Sequence, residues 1–167
     1  MKQAIKLFFL SLMFISQSSL AMSEDKDAPV HIEADQVEIR DKENLSTYSG
    51  NVKITRGSIK ITGDKITIKS KNGNLFKIRI SGNPATFYQL NDLKQVISAE
   101  SKQMEYLAVD GMLELKEDAL LVKAQSNFSS DHIIYDTHKD IVKAGHHNNP
   151  DPVEPPRVKI TIHPEKK

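Results

Sequence analysis

Cysteine and tryptophan are absent from this chain, and four tyrosines and six phenylalanines are all the aromatic residues it has. Without cysteine there is no disulfide and no thiol nucleophile. Without aromatic rings interleaved among basic residues there is no stacking platform for nucleic acid bases. Neither sign of charge dominates, with 23 Lys and Arg against 22 Asp and Glu. No global field therefore steers the chain to nucleic acid or to an anionic surface. Glycine is sparse at seven residues. That excludes the dense Gly/Asp repeats of a calcium-binding roll, and no Gly-rich phosphate loop is present. A Gly-x-Ser-x-Gly nucleophile motif is also missing. No long apolar run occurs after residue 21.

The apolar run that does occur lies at the start. "MKQAIKLFFLSLMFISQSSLA" has basic Lys2 and Lys6, then an apolar stretch from Leu7 to Ile15, then a polar shoulder ending in Ser19-Leu20-Ala21. This is the pattern of a secretory signal peptide spanning residues 1–21, with a small-residue cleavage site after Ala21. The run is too short to span a bilayer. Cleavage removes Lys2 and Lys6, leaving 21 basic residues against the same 22 acids. The expected mature chain of roughly 145 residues is one domain with room for a real core. Export without disulfides suits a bacterial periplasmic protein held together by backbone pairing and packing.

Core material is Ile, Val and Leu, which favours pleated surfaces over helices. Apolar residues recur with a period of two: Val30 and Ile32, Val52 and Ile54, Ile78 and Ile80, Leu113 and Leu115, Leu120 and Val122. That period marks half-buried strands. Turn signals separate them, at Gly50-Asn51, Gly57-Ser58, Asn72-Gly73-Asn74, Gly82-Asn83-Pro84, Asp110-Gly111 and Gly145. Many short strands at this spacing predict an all-β sandwich, barrel or roll.

The alternation changes phase at regular places. In "IKITGDKITI", Ile59 and Ile61 are odd-numbered, whereas Ile66 and Ile68 are even. The same five-residue step leads from Ile32 to Val37, from Ala99 to Met104 and from Phe128 to Ile133. A step of five in a period-two lattice swaps faces unless the chain bends or bulges. Four corners are therefore expected, at Ala34-Asp35, Gly63-Asp64, Ser101-Lys102 and Ser130-Asp131. Each is followed by a turn site: Gly50-Asn51, Gly82-Asn83, Glu117-Asp118 and Gly145. The chain is a degenerate repeat of roughly 30 to 38 residues. An acid at a corner can accept backbone N–H groups that the bend frees.

The body is expected to span residues 30–145, after a short segment 22–29. Residues 146–167 read as a Pro-rich linker, "HHNNPDPVEPP", followed by a strand, "RVKITIHP", detached from the body and stopped by Pro164.

Candidate chemistry is thin. Asp35, Asp64 and Asp131 occupy equivalent places in a repeat, whereas acid–base catalysis needs two carboxylates in different environments. They read as structural, and no enzyme is expected. His132, His138, His146, His147 and His163 lack ligand spacing and read as solvated, so neither a metal nor a cofactor is expected. Of the eight basic residues from Lys53 to Arg79, Lys53, Lys60, Lys77 and Arg79 are out of phase with their aliphatic neighbours and read as a solvated outer face. The aliphatic interior, on pattern alone, is either a dry core or a surface for something apolar.

Several stretches in order carry a resemblance. "PVHIEADQVEI", "YSGNVKITRGSIKITGDKITI", "SGNPATFYQ", "QMEY" and "SDHIIYD" are similar to the OstA-like family of periplasmic lipopolysaccharide-transport proteins, over about Pro29 to Gly145. "RVKITIHP" resembles the family's final strand. The resemblance implies an open, twisted β-jelly roll of sixteen or so antiparallel strands. It implies a non-enzymatic carrier whose hydrophobic groove shields the acyl chains of the lipid A moiety of lipopolysaccharide. Val30, Ile32, Phe87, Tyr106 and Ala108 are the lipid-binding groove residues it points to. It further implies head-to-tail homo-oligomers and edge-strand pairing with the inner-membrane anchor LptC and the outer-membrane translocon LptD. The rival reading is a structural filament or adhesin subunit with a dry core.

Overall fold

The period-two stretches become ten strands in the computed structural model, which describes residues 25, 28–91, 93–145 and 157–163. They are β1 (His31–Glu33), β2 (Gln36–Arg40), β3 (Leu45–Arg56), β4 (Ile59–Lys71), β5 (Asn74–Leu90), β6 (Val96–Leu107), β7 (Met112–Lys123), β8 (Ser126–Asp136), β9 (Ile141–Gly145) and β10 (Lys159–Ile162). All pair antiparallel in one sheet, in the order β1-β3-β4-β5-β6-β7-β8-β10, with β2 also on β3 and β9 also on β8. One 3-10 turn, Asp41–Glu43, joins β2 to β3. The expected signal peptide and the linker 146–156 lie outside the described residues.

The expected corners are present, and they divide the sheet in two. Register slips between β3 and β4 at Ser49/Val52, between β4 and β5 at Thr62/Lys65, and between β5 and β6 at Ser81/Ala85. It slips again at Glu100/Gln103 and Lys116/Ala119. Each slip sets a corner residue (Asp64, Lys102 or Asp131) against a turn site on its neighbour. β3 through β8 each cross a corner. Counted as halves, those six strands give twelve segments, which with β1, β2, β9 and β10 make sixteen.

Two devices make the bend. Gly50 and Asn51 in β3 adopt φ of 79° and 45°, and Glu117 and Asp118 in β7 adopt 63° and 57°. Consecutive left-handed residues insert extra chain on one side of a pair and turn the strand. At Gly50 a side chain would meet the Asp35 carboxylate, so glycine is required twice over. Asp35 accepts from the Asn51 side-chain amide at 2.9 Å, and its own N–H donates to the Gly50 carbonyl at 3.0 Å. At the third corner, Lys102 pairs with Asp118 at 2.7 Å.

Small residues stand at the corners because the two half-sheets are closest there. A Cβ on Gly63 would lie 2.8 Å from Ile80 Cγ2 and 2.8 Å from the Ser81 carbonyl oxygen. Gly63→Val is expected to cost about 1–3 kcal/mol through overpacking, read as a lower thermal midpoint by circular dichroism. Gly145→Ala meets open space and should stay within about 0.5 kcal/mol. Equal effects would mean that the corner tolerates bulk.

The strand expected to be detached is docked instead. β10 pairs with β8, placing Ile160 opposite Phe128. Its alternation fits the sheet, and β9 covers only the second half of β8, which leaves the first half open to it.

Candidate functional site

Pairing aligns the inward residues into rows that run across the whole sheet. The first runs Ile32, Ile54, Ile61, Phe87, Ala99, Leu121, Phe128 and Ile160, one per strand from β1 to β10. The second runs Val37, Tyr48, Ile66, Ile80, Met104, Leu115, Ile133 and Ala144, from β2 to β9. The first row belongs to one half-sheet and the second to the other. Both face the same apolar interior, because the corner between them compensates the phase change.

Coverage varies along and across the rows. Ile66, Leu115, Leu121 and Ile133 are 0 % exposed. Toward the hairpin tips, Ile59, Ile68, Leu75, Tyr106 and Phe128 are half-buried against that core. The interior is thus sealed at the corners and opens between two rims. One rim carries the β3–β4, β5–β6 and β7–β8 hairpins; the other carries those after β2, β4, β6 and β8. Leu93 and Val109 project from the two rims into solvent. At the sheet's ends the inward face lies bare: Val37 and Ile39 at one, Ile160 and Ile162 at the other, are all more than half exposed.

The five residues to which the resemblance points fall into this frame as follows. Ile32 and Phe87 share the first row, Ile32 half-buried near the β1 end and Phe87 buried in the middle. Tyr106 lies on the other half-sheet, opposite Ile78 and Leu113, half-buried. Burial pushes its phenol up, against a hydrogen bond with Thr137 that lowers it. Ala108 follows β6 at the rim, half-buried, with its N–H on the Phe76 carbonyl at 3.1 Å. Val30 precedes β1 and is exposed. Four of the five therefore line the interior or its rim, and Val30 lies at the open end.

The outer face carries the basic residues, as their phase predicts, but several are paired rather than simply solvated. Glu105 accepts from Lys77 at 2.6 Å and from Arg79 at 2.7 Å. Glu114 accepts from Lys116 at 3.0 Å. His132, expected to be solvated, is 7 % exposed and bonds Glu114 at 2.8 Å. It falls on the outer face next to a corner, where the bend brings β7 and β8 side chains over it. Of these, Arg79, Glu105, Glu114 and Lys116 line an outer furrow of about 430 Å³ together with Lys65, Thr67 and Gln103. Burial pushes the Glu105 and Glu114 carboxyls up, but the bonds from their cationic partners outweigh it and hold both below the usual range. A carboxylate so depressed stabilises the fold above its unfolded value and loses that contribution as pH falls through the folded one. The Glu105→Gln, Glu114→Gln double variant is therefore expected to lose less thermal stability than wild type between about pH 7 and about pH 3. Parallel melting curves for the two proteins would show that the pairs contribute nothing.

Sequence reasoning missed two inward cations: Arg56, which keeps the parity of Val52 and Ile54 and lies opposite Ile59, and Lys123. Lys123 shares the parity of Ala119 and Leu121, and its Nζ bonds Asp140 across the slot. Its parity with Leu121 was the only available signal.

Comparison with known proteins agrees with this architecture. Residues 31–141 match the family described as LptA/(LptD N-terminal domain) LPS transport protein. The chain is 32 % identical to the lipopolysaccharide export system protein LptH of Pseudomonas aeruginosa, over 96 % of this chain and 94 % of that protein. It is 36 % identical to the lipopolysaccharide export system protein LptA of Escherichia coli, over 75 % of this chain and 69 % of that one. The crystal structure of the Pseudomonas aeruginosa LptH, described as the LptA-homologous periplasmic component of a lipopolysaccharide transport device, superposes with a TM-score of 0.75. It does so at 29 % identity, over 84 % of this chain and 99 % of that one.

Proposed function

Because the chain belongs to the LptA/(LptD N-terminal domain) family of LPS transport proteins, we propose that it is a periplasmic carrier that shields the acyl chains of lipopolysaccharide and bridges the inner and outer membranes. The observation that carries this reading is the unbroken inward apolar row from β1 to β10. It reaches both edges of the sheet, so an apolar surface can continue from one molecule into the next. Each buried CH₂ contributes about 0.8 kcal/mol, so several acyl chains do not cross water unshielded. A slot of similar residues at every step holds no deep well and lets the lipid slide. The driving force then comes from a partner.

The lipid lies along the half-covered Ile32, Tyr106 and Ala108 and against Phe87 deeper in the row, with Val30 at the entrance. The bare edges of β1 and β10 are the joints. Strand addition there gives head-to-tail stacking, and the same edges pair with LptC at the inner membrane and LptD at the outer. The bare apolar ends at Val37 and Ile39, and at Ile160 and Ile162, are then covered by the neighbour.

Photo-crosslinkers test the assignment. Probes at Ile32 and Phe87 are expected to capture lipopolysaccharide in cells, and a probe at outer-face Lys60 is not. Capture at Lys60 alone would reverse inside and outside. A protein that stacks but captures no lipid at any of the three would be the dry filament.

A further inference from the structure

Lys123 ends β7, on the same inward face as Leu121. Its pairing with Ile97 on β6 and Ser126 on β8 fixes it to the half-sheet of the first row. Its Nζ nevertheless bonds Oδ2 of Asp140, in the β8–β9 hairpin of the other half-sheet. The same ammonium lies 5.9 Å from the centroid of the Tyr135 ring. The Tyr135 hydroxyl donates to Oδ1 of Asp140 at 2.9 Å. Asp140 holds φ of 59°, a conformation that a non-glycine residue keeps where its surroundings fix it. Three side chains thus tie one rim of the slot to the other.

We propose that Lys123, Tyr135 and Asp140 form a clasp across the slot mouth that doubles as a phosphate site, in which Lys123 exchanges Asp140 for a phosphate on the sugar end of a passing glycolipid. This rests on the lipid-carrying reading. An acyl chain in the slot leaves its sugar end at the mouth, which is where the clasp lies. A phosphate monoester carries about −1.5 to −2 charges near pH 7 and three acceptor oxygens, so it outcompetes a single carboxylate. Asp140, 60 % exposed, is left in water and still bonded to Tyr135, so the exchange strands no buried charge. Lys123 is 20 % exposed, so its side chain keeps some access to water. A stability role explains little, because ion pairs this close to water add little to folding.

The test compares binding of two probes to the purified mature protein: lipopolysaccharide with phosphorylated lipid A, and the same material after enzymatic dephosphorylation. Wild type is expected to prefer the phosphorylated form. Lys123→Met should weaken binding of that form by about tenfold, the scale of one charge-assisted hydrogen bond, and leave the dephosphorylated form unchanged. Lys123→Arg should keep the preference, and Asp140→Asn, which frees the ammonium, should increase it. Circular dichroism checks that each variant is folded. Equal losses for both probes in Lys123→Met, or no loss for either, would overturn the clasp as a phosphate site. Wild type that binds neither probe would overturn the carrier reading and the clasp with it, a result distinct from the first.

Discussion

Ile32→Asp and Tyr106→Asp are each expected to abolish lipopolysaccharide loading while leaving the protein folded. Removing an ionised carboxylate from water without a partner costs several kcal/mol. At 1.4 kcal/mol per factor of ten, the affinity falls by about a hundredfold or more. The fold survives because both positions are half-buried and border the open part of the slot. In the empty protein the new carboxylate can turn toward solvent; against an acyl chain it cannot. The same change at Leu115 or Ile133, which are 0 % exposed, would unfold the sheet and teach nothing about lipid. Lys60→Asp on the outer face is the matched control for added negative charge. The measurement is the amount of lipopolysaccharide that co-purifies per mole of protein, with circular dichroism on each variant. Wild-type loading by a folded Ile32→Asp or Tyr106→Asp protein would remove those residues from the groove.

The second large effect concerns assembly. Deleting residues 150–167 is expected to collapse concentration-dependent oligomers toward monomer, and Ile160→Pro to weaken them, with monomeric lipid binding largely retained. β10 ends the first row and, among the described residues, has one neighbour, β8. Its other edge presents free backbone donors and acceptors, a template for the β1 edge of a second molecule. Proline removes a donor and does not sit in a strand paired on both sides. The deletion does more, because it strips Ile160 and Ile162 and leaves the first half of β8 as the edge. That edge carries Ser126, Asn127 and Ser129 around a single Phe128, so a neighbour buries less apolar surface on it. Light scattering over a dilution series reads the outcome. An unchanged mass distribution after the deletion would place the joint at other edges, β2 and β9 being the remaining candidates.

Much of the architecture was legible in the residues because it depends on local geometry. Side chains alternate in a strand whatever lies beyond it, so Ile59 and Ile61, then Ile66 and Ile68, declare their faces directly. A phase change between two such runs declares a bend. The four corners follow from that alone. Gly50-Asn51 and Gly82-Asn83-Pro84 read as turns between strands, but they lie within β3 and β5, where the neighbour of a corner takes up the extra length. The basic outer face follows from the same parity. The groove residues came from motif resemblance, and parity independently placed Val30, Ile32, Tyr106 and Ala108 on the inward face.

What parity does not say is whether anything covers a face. Val37 and Ile39 carry the same pattern as Ile66 and Ile68, yet both are more than half exposed, because β2 lies at the end of the sheet and no strand among the described residues continues beyond it. His132 reads as a surface histidine, but the corner folds Glu114 against it and buries it. β10 reads as a detached tail, but an open place on β8 accepts it. Lys123 carries no sequence signal beyond its parity with Leu121, and only the closure of one half-sheet over the other carries it to Asp140. In each case the sequence determined which way a side chain points, a property of a few neighbouring residues. The tertiary structure decided what it meets, because that depends on strands far apart in the chain and on where the sheet ends.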